Sequence, residues 1–429
     1  RSHSYPLPRV GKTHYDPIER ITLVRASAHE LILAHGYQRR ETYRLDGQCF
    51  RLISVTIENG SCLRLYYEHH VDGRTVLSDL ISYQDDVIYT HLGTQLDELG
   101  RIIGLWQISD GQLQRQLARY FYDGSGDLVQ AEDANAAKRN YVYTHHLVTR
   151  YTDRSGRGMN LQWQGTSPDA RAVREWADDG SYDTRLEWDS RIRLTYVTNA
   201  LGQETRHYYD HLGYTYRIVH ADGRSEWLFR DAAKNVVRHV HINGTEDRYA
   251  YDDIGNLLEH IQTDNSVLHY AYDDKSRLIK IRDAEGGLWL RDFDPRGNLI
   301  KTIDPLGNAT EYAYNSSGLP IAIIDAKGGK QEITYNRDGK ITSHMDCSGK
   351  SSAWQYDGQG QLTAFTDAQG KVTRYAYAKG QLICTTHPDE TREYFERDPE
   401  GRLLSHTDAL GRRTAWAYTA AGMIDQRTN

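Results

Sequence analysis

Carboxylates recur at a fixed interval along this chain, and paired carboxylates are the minimum equipment for glycoside hydrolysis. Asp283, Asp304, Asp325, Asp346 and Asp367 follow one another every 21 residues, and Asp408 continues the series. Each is followed three residues later by glycine: Gly286, Gly307, Gly328, Gly349, Gly370 and Gly411. If each unit is a pair of strands, successive acids stand two strand widths, or about 10 Å, apart. That exceeds the usual catalytic separation. A turn explains them without catalysis: Asp at the first position accepts from backbone N–H groups two residues on, and Gly at the last tolerates a left-handed backbone. These twelve residues are therefore assigned as structural turn residues. The same row of oxygens could collect calcium weakly, but the ligand run of a calcium loop is absent.

Histidine offers little more. The clusters are His69-His70, His145-His146 and His239-x-His241, and the last puts two imidazoles on one strand face at a spacing that can chelate a metal. With no Cys or acid at a matching spacing nearby, all are assigned as ordinary strand or loop histidines, and no metal or cofactor is expected. Gly-x-Ser-x-Gly, His-Glu-x-x-His and phosphate-loop motifs are missing, so no catalytic residue is assigned. Cys49, Cys62, Cys347 and Cys384 are too scattered for a disulfide scaffold and suit synthesis in a reducing cytoplasm. Whether Cys49 and Cys62 face each other across paired strands is left open.

The acids belong to a longer beat. From Trp188 an aromatic recurs every 21 residues at Tyr209, Tyr251, Tyr272, Phe293, Tyr314, Tyr335, Tyr356 and Tyr377, and after one deletion at Tyr418. Arg230 and Arg397 hold the same position. A period of about 20 to 50 residues marks a repeat architecture. Within one unit, Asn298 to Ile303 alternates apolar and polar, Asp304-Pro305-Leu306-Gly307 turns, and Asn308 to Tyr314 alternates again. Each repeat is thus a β-hairpin ending on two tyrosines that share a face, as at Tyr249 and Tyr251, Tyr270 and Tyr272, Tyr312 and Tyr314.

Upstream the beat drifts. Tyr122, Tyr143 and Trp163 keep it loosely, and Gly165 to Asp183 breaks phase. Three segments are expected: residues 1–95, a non-repeat β-rich lead-in with strands at Tyr43 to Leu45, Phe50 to Ile57, Leu63 to Tyr67 and Val87 to His91; 96–187, irregular repeats with an insertion near 165–183; and 188–429, regular repeats. The best helix candidate, Asp169 to Asp178, is short. About 24 repeat strands are too many for an open twisted sheet, which rarely exceeds about 10 without curling. At about 4.8 Å per strand they span on the order of 115 Å. The expected fold is all-β, with hairpins in a continuous coiled sheet that forms a hollow shell or a section of one.

The cycle Tyr-Asp-x-x-Gly-x-Leu, Asp-x-x-Gly, Tyr-x-Tyr resembles the YD repeat of the Rhs family, which is shared with the C components of insecticidal toxin complexes and with teneurins. The resemblance covers roughly Leu96 to Asn429, and the opening Ser4-Tyr5-Pro6-Leu7-Pro8 is similar to the segment that begins the shell in bacterial effectors. It implies a cocoon that encloses its own C-terminal toxin domain, made in the bacterial cytoplasm and exported by a dedicated machine such as the type VI system. A secretion-spike protein or chaperone would engage through a further N-terminal region. The family's self-cleavage motif is of the Asp-Pro-x-Gly-Leu type. Asp294-Pro295-Arg296-Gly297, Asp304-Pro305-Leu306-Gly307 and Asp398-Pro399-Glu400-Gly401 are similar to it, but all fall in phase with repeat turns and none is followed by Leu, so they are read as turns. The chain is expected to be a piece of a longer polypeptide, and strand edges left open would favour self-association.

Composition narrows the alternatives. A formal net charge of −7 argues against a nucleic-acid groove. No apolar run approaches the roughly 18 residues of a membrane span. Tyrosine outnumbers phenylalanine 31 to 6, which suits a sheet with one apolar face in wet surroundings. The leading expectation is a structural container for a toxin cargo. The alternative is an extracellular or cell-surface module whose aromatic platform binds carbohydrate or protein. An enzyme is the weakest reading, and a cleft with convergent polar groups would revive it.

Overall fold

The computed structural model describes residues 5–84 and 87–429. Ser4 of the opening segment lies outside them. All regular structure among the described residues is β, in 41 strands. Hydrogen bonding strings 39 of them into one sheet, and His69–Val71 pairs with Arg74–Val76 as a separate hairpin. The strand ladders are antiparallel and, apart from Ser61–Tyr66 on Asp79–Gln84, join neighbours in sequence, as in Leu257–Ile261 on Val267–Tyr272 and Leu299–Ile303 on Ala309–Tyr314. The lead-in strands are longer than expected: Arg39–Asp46, Cys49–Ile57, Ser61–Tyr66 and Val87–Leu96.

The helix expectation fails. Arg171–Ala177 is a strand laddered to Gly158–Gln164 on one side and to Asp183–Asp189 on the other. Val173 and Trp176 favour a pleated surface, and Arg174 lies 4.5 Å from the centroid of Trp176, two residues along the same strand.

Contacts sort the chain into two compact units. One holds residues 1–93, 108–110 and 225–333, and the other 94–107, 111–224 and 334–429. Each thus joins an early run of strands to a late one. Neither has a conventional core: the buried apolar side chains among the described residues are Leu31, Ala177, Leu194 and Ala322. Cohesion must come from the backbone ladder and from what the repeat side chains add to it.

The regular hairpins bulge at their aromatic. Ala250 pairs with Glu259 but Tyr251 pairs with Leu257, leaving Leu258 as an extra residue. The same slip occurs at Tyr272, Phe293, Tyr314, Tyr356, Tyr377 and Tyr418. An extra residue bends its strand and increases local twist, so the period that repeats the hairpin repeats the bend. The simple alternation expected over Asn298 to Ile303 is interrupted at this point, because Phe293 pairs with Leu299 and Asp292 with Lys301.

The turns close with one geometry. Gly307 donates to the Asp304 carbonyl at 3.0 Å, Asp304 N–H reaches Asn308 O at 3.0 Å, and the Asp304 carboxylate accepts from Leu306 and Asn308. Gly286, Gly328, Gly349, Gly370 and Gly411 each donate to Asp283, Asp325, Asp346, Asp367 and Asp408 in the same way at 2.9–3.1 Å. Gly307 has φ +84° and open space for 4 Å around the place a Cβ would take, whereas a Cβ on Gly255, at φ +86°, would sit 2.5 Å from Arg20 Nε. Gly307→Ala should therefore cost about 1 kcal/mol, from backbone conformation alone. Gly255→Ala should cost more by also displacing Arg20. Urea midpoints of the two variants would show that order.

Candidate functional site

The repeat aromatics act as bolts between paired strands. Tyr251 donates its hydroxyl to Val236 O at 3.1 Å, Tyr314 to Leu299 O at 2.7 Å, Tyr356 to Ile341 O at 2.9 Å and Tyr418 to Leu403 O at 2.9 Å. Each bond reaches back fifteen residues to the start of the preceding strand, which pairs with the strand that carries the aromatic. Trp163 Nε1 does the same to Val148 O at 2.7 Å in the irregular stretch. Tyr67 does so to Leu52 O at 2.8 Å in the lead-in, where the sequence shows no dependable period. Burial raises the pKa of Tyr251 and Tyr314, so these hydroxyls stay protonated donors at neutral pH. Where arginine replaces the aromatic the bond runs forward instead: Arg230 to Lys234 O and Arg397 to Gly401 O, both at 3.0 Å.

The turn rims make a second network that sequence reasoning missed. In the unit containing 334–429, the turn at Asp398 to Arg402 meets the turns at Asp133 to Ala137 and Asp153 to Arg157. Glu400 accepts from Arg154 N–H at 2.7 Å, from Arg154 Nη2 at 3.1 Å and from Arg139 Nη2 at 3.2 Å. Arg157 donates to Asp398 at 2.7 Å, and Arg402 reaches across to Asp153 at 3.0 Å. Asp398 is only 5% exposed. Hydrogen bonds from Arg154, assisted by Arg139, pull the Glu400 carboxyl down to about 2. Burial opposes ionisation of Asp398, yet the hydrogen bonds from Arg157 and Arg402 hold it below the usual carboxylate range. So Asp398-Pro399-Glu400-Gly401 is a turn, and one whose acids fasten distant hairpins rather than face solvent.

The other unit repeats this device with different chemistry. Arg20 donates to Asn235 at 2.5 Å, Lys275 to Glu58 at 2.7 Å and Arg296 to the Asn59 carbonyl at 2.8 Å. In both units the partners are 215 to 261 residues apart in sequence.

Chemistry of other kinds is sparse. Cys49 pairs with Asp46 and Cys62 with Thr56, so the two do not face each other, and all four cysteines are free. A cleft of 710 Å³ contains Asp46 and Glu68, but Arg51 occupies Asp46 at 2.9 Å. The reading of His239-x-His241 needs correction: Asp247 stands directly opposite His239 on the next strand. The spacing rule applied to the sequence looks along one strand and misses the ligand across the ladder. His241 and His260 both donate to Asp247, at 2.5 and 2.9 Å; burial raises the Asp247 pKa, but these bonds bring it below the ordinary value.

Comparison with known proteins agrees with the repeat geometry. The RHS Repeat family model matches residues 251–288, 293–330, 335–364, 356–392 and 397–429. A crystal structure of TcdB2-TccC3 without its hypervariable C-terminal region is 12% identical and superposes with TM-score 0.51 over 95% of this chain and 30% of that one. A TcdB2-TccC3-TEV structure, also 12% identical, gives 0.49 over 95% and 26%. The Tc holotoxin pore of Photorhabdus luminescens, again 12% identical, gives 0.43 over 97% and 29%. The chain therefore spans less than a third of the length of these structures, and the first of them establishes a shared fold. No curated protein matches the sequence.

Proposed function

We propose, on the premise that residues 251–429 are RHS repeats, that the chain is wall material for a container which encloses a toxin domain following it in the same polypeptide. The observation that carries this reading is the rim network. Hairpins more than 200 residues apart are fastened turn to turn in each unit, a reinforcement that suits a wall and that a binding platform would not need. The tyrosine bolts support it as well. Hydroxyls committed to backbone carbonyls serve the wall, and this weakens the alternative of a carbohydrate-stacking surface built from the same rings. A cargo held by many weak contacts would need no single essential residue, and delivery by a secretion machine such as the type VI system fits that role. A spike protein or chaperone upstream and pairing through strand edges would be its partners.

The test is protection. With a compact, trypsin-sensitive passenger domain fused after Asn429, enclosure predicts a digestion rate at least tenfold slower than that of the free passenger, returning to the free rate once urea opens the wall. A passenger cut at its free rate throughout, together with binding of the chain to a glycan array, would move the carbohydrate reading to the front.

A further inference from the structure

Apart from the bolts and rims, one face of the sheet gathers Glu226, His239, His241, Asp247 and His260. Register explains why they meet. His239 is opposite Asp247 on one side and opposite Leu228 on the other, and Leu228 lies two residues from Glu226. Tyr249, two residues past Asp247, is opposite His260. Side chains two apart on a strand share a face, as do cross-strand partners, so adjacent strands and the end of one turn supply the group without any loop having to fold over it.

The distances are those of a preformed ligand set. One ligand atom each from His239, His241 and Asp247 lies within 4.8 Å of the other two. A tetrahedral zinc site with ligands at about 2.0–2.1 Å needs them roughly 3.3 Å apart, a contraction within reach of small side-chain rotations. The supporting contacts are present too. His239 is held by Glu226 at 2.6 Å, and the second oxygen of Asp247 accepts from His260 at 2.9 Å. His260 in turn stacks on Tyr249 with centroids 4.6 Å apart. Carboxylates that orient a ligating imidazole are the usual outer layer of a metal centre. Two imidazoles and one carboxylate select a borderline transition cation over calcium or magnesium, which prefer all-oxygen sites.

The chain contains its own control. His387, Glu393 and His406 repeat the spacing of His241, Asp247 and His260, with Glu393 bridging the two imidazoles at 3.1 and 3.0 Å and His406 stacked on Phe395. At the position matching His239, however, stands Thr385. A carboxylate between two histidines thus occurs twice in these repeats, and of the two copies the one at 241–260 has the third imidazole.

We propose that His239, His241 and Asp247 bind one zinc ion, with solvent in the fourth position and Glu226 and His260 orienting the ligands. The ion would replace imidazole protons and staple two successive strands across the ladder, a role independent of any cargo. The test is calorimetric titration of the chelator-stripped full chain with zinc chloride at pH 7.5, paired with the visible absorption of the cobalt(II) form. One equivalent should bind, with the intense bands of a tetrahedral cobalt site. His241→Gln, which keeps a polar side chain at the turn, should abolish both signals. Glu226→Gln should weaken affinity about ten- to a hundredfold, and His406→Ala should change neither, with circular dichroism confirming that each variant is folded. A chain that binds no zinc, or one in which His241→Gln binds as the parent does, overturns the site.

Discussion

Glu400→Gln should lower the stability of the unit containing residues 334–429 by about 2 kcal/mol, because removing one member of a half-buried ion network leaves Arg154 partly desolvated and uncompensated, while the exposed side of the network is screened by water. The glutamine is nearly isosteric, so the loss would reflect charge rather than packing. Arg154, with Glu400 and Asp133 as its acceptors, would be left with a deficit that Asp133 alone does not offset. Trp163, Trp176, Trp188, Trp354 and Trp416 all lie in this unit, so tryptophan fluorescence in urea reports mainly on it. Acid gives a second readout. The Glu400 carboxyl titrates at about 2 in the folded chain, against about 4.3 when free. Its contribution is therefore complete above the unfolded value and drains away as pH falls from about 4.3 toward 2. The gap between parent and variant should be flat from about pH 8 to 5 and close below that. A gap independent of pH down to about 2.5 would mean that the Glu400 charge does not fasten the rim.

Tyr314→Ala should cost about 3 kcal/mol, the expectation for truncating a large packed side chain, yet leave passenger protection intact. Tyr314→Phe separates the two parts of that loss. It keeps the ring and removes only the 2.7 Å bond to Leu299 O, for about 1 kcal/mol. Nearest-neighbour coupling between repeats explains why the loss should stay local. The bolts at Tyr251 and Tyr356, three repeats before and two after, remain made whatever happens at Tyr314. A folded Tyr314→Ala protein that had lost all protection would contradict a wall with distributed function.

What the sequence made legible was local. The aromatic beat, the Asp-x-x-Gly turns and the hairpins are set by residues within one repeat, so a single period exposes them. The bulge was legible in principle. The doublets Leu257-Leu258, Leu278-Ile279 and Leu299-Ile300 break strict alternation at the same point of each hairpin, and an uninterrupted strand would have no reason to do so. The rims were not legible. Asp398 follows the repeat aromatic position, as Asp252 and Asp294 do, whereas Asp304 turns the other end of the hairpin, where the tip residue Leu306 is 87% exposed; the period separates these two kinds of turn but does not say which is fastened, because Arg154 and Arg157 are 246 and 241 residues away. The Asp247 partner of His239 was hidden for a related reason. Eight residues separate them along the chain, and only the register of a hairpin not yet located makes them neighbours.

The reach of the rim contacts also sets a clock on synthesis. A hairpin can close as soon as its twenty or so residues have left the ribosome, but Arg154 must wait for Glu400, 246 residues later. At about 5–20 residues per second, that delay is on the order of 12 to 50 s, during which the early turns carry their arginines and aspartates facing water, and the nascent sheet offers its unfastened rim to whatever chaperone or neighbouring chain arrives first.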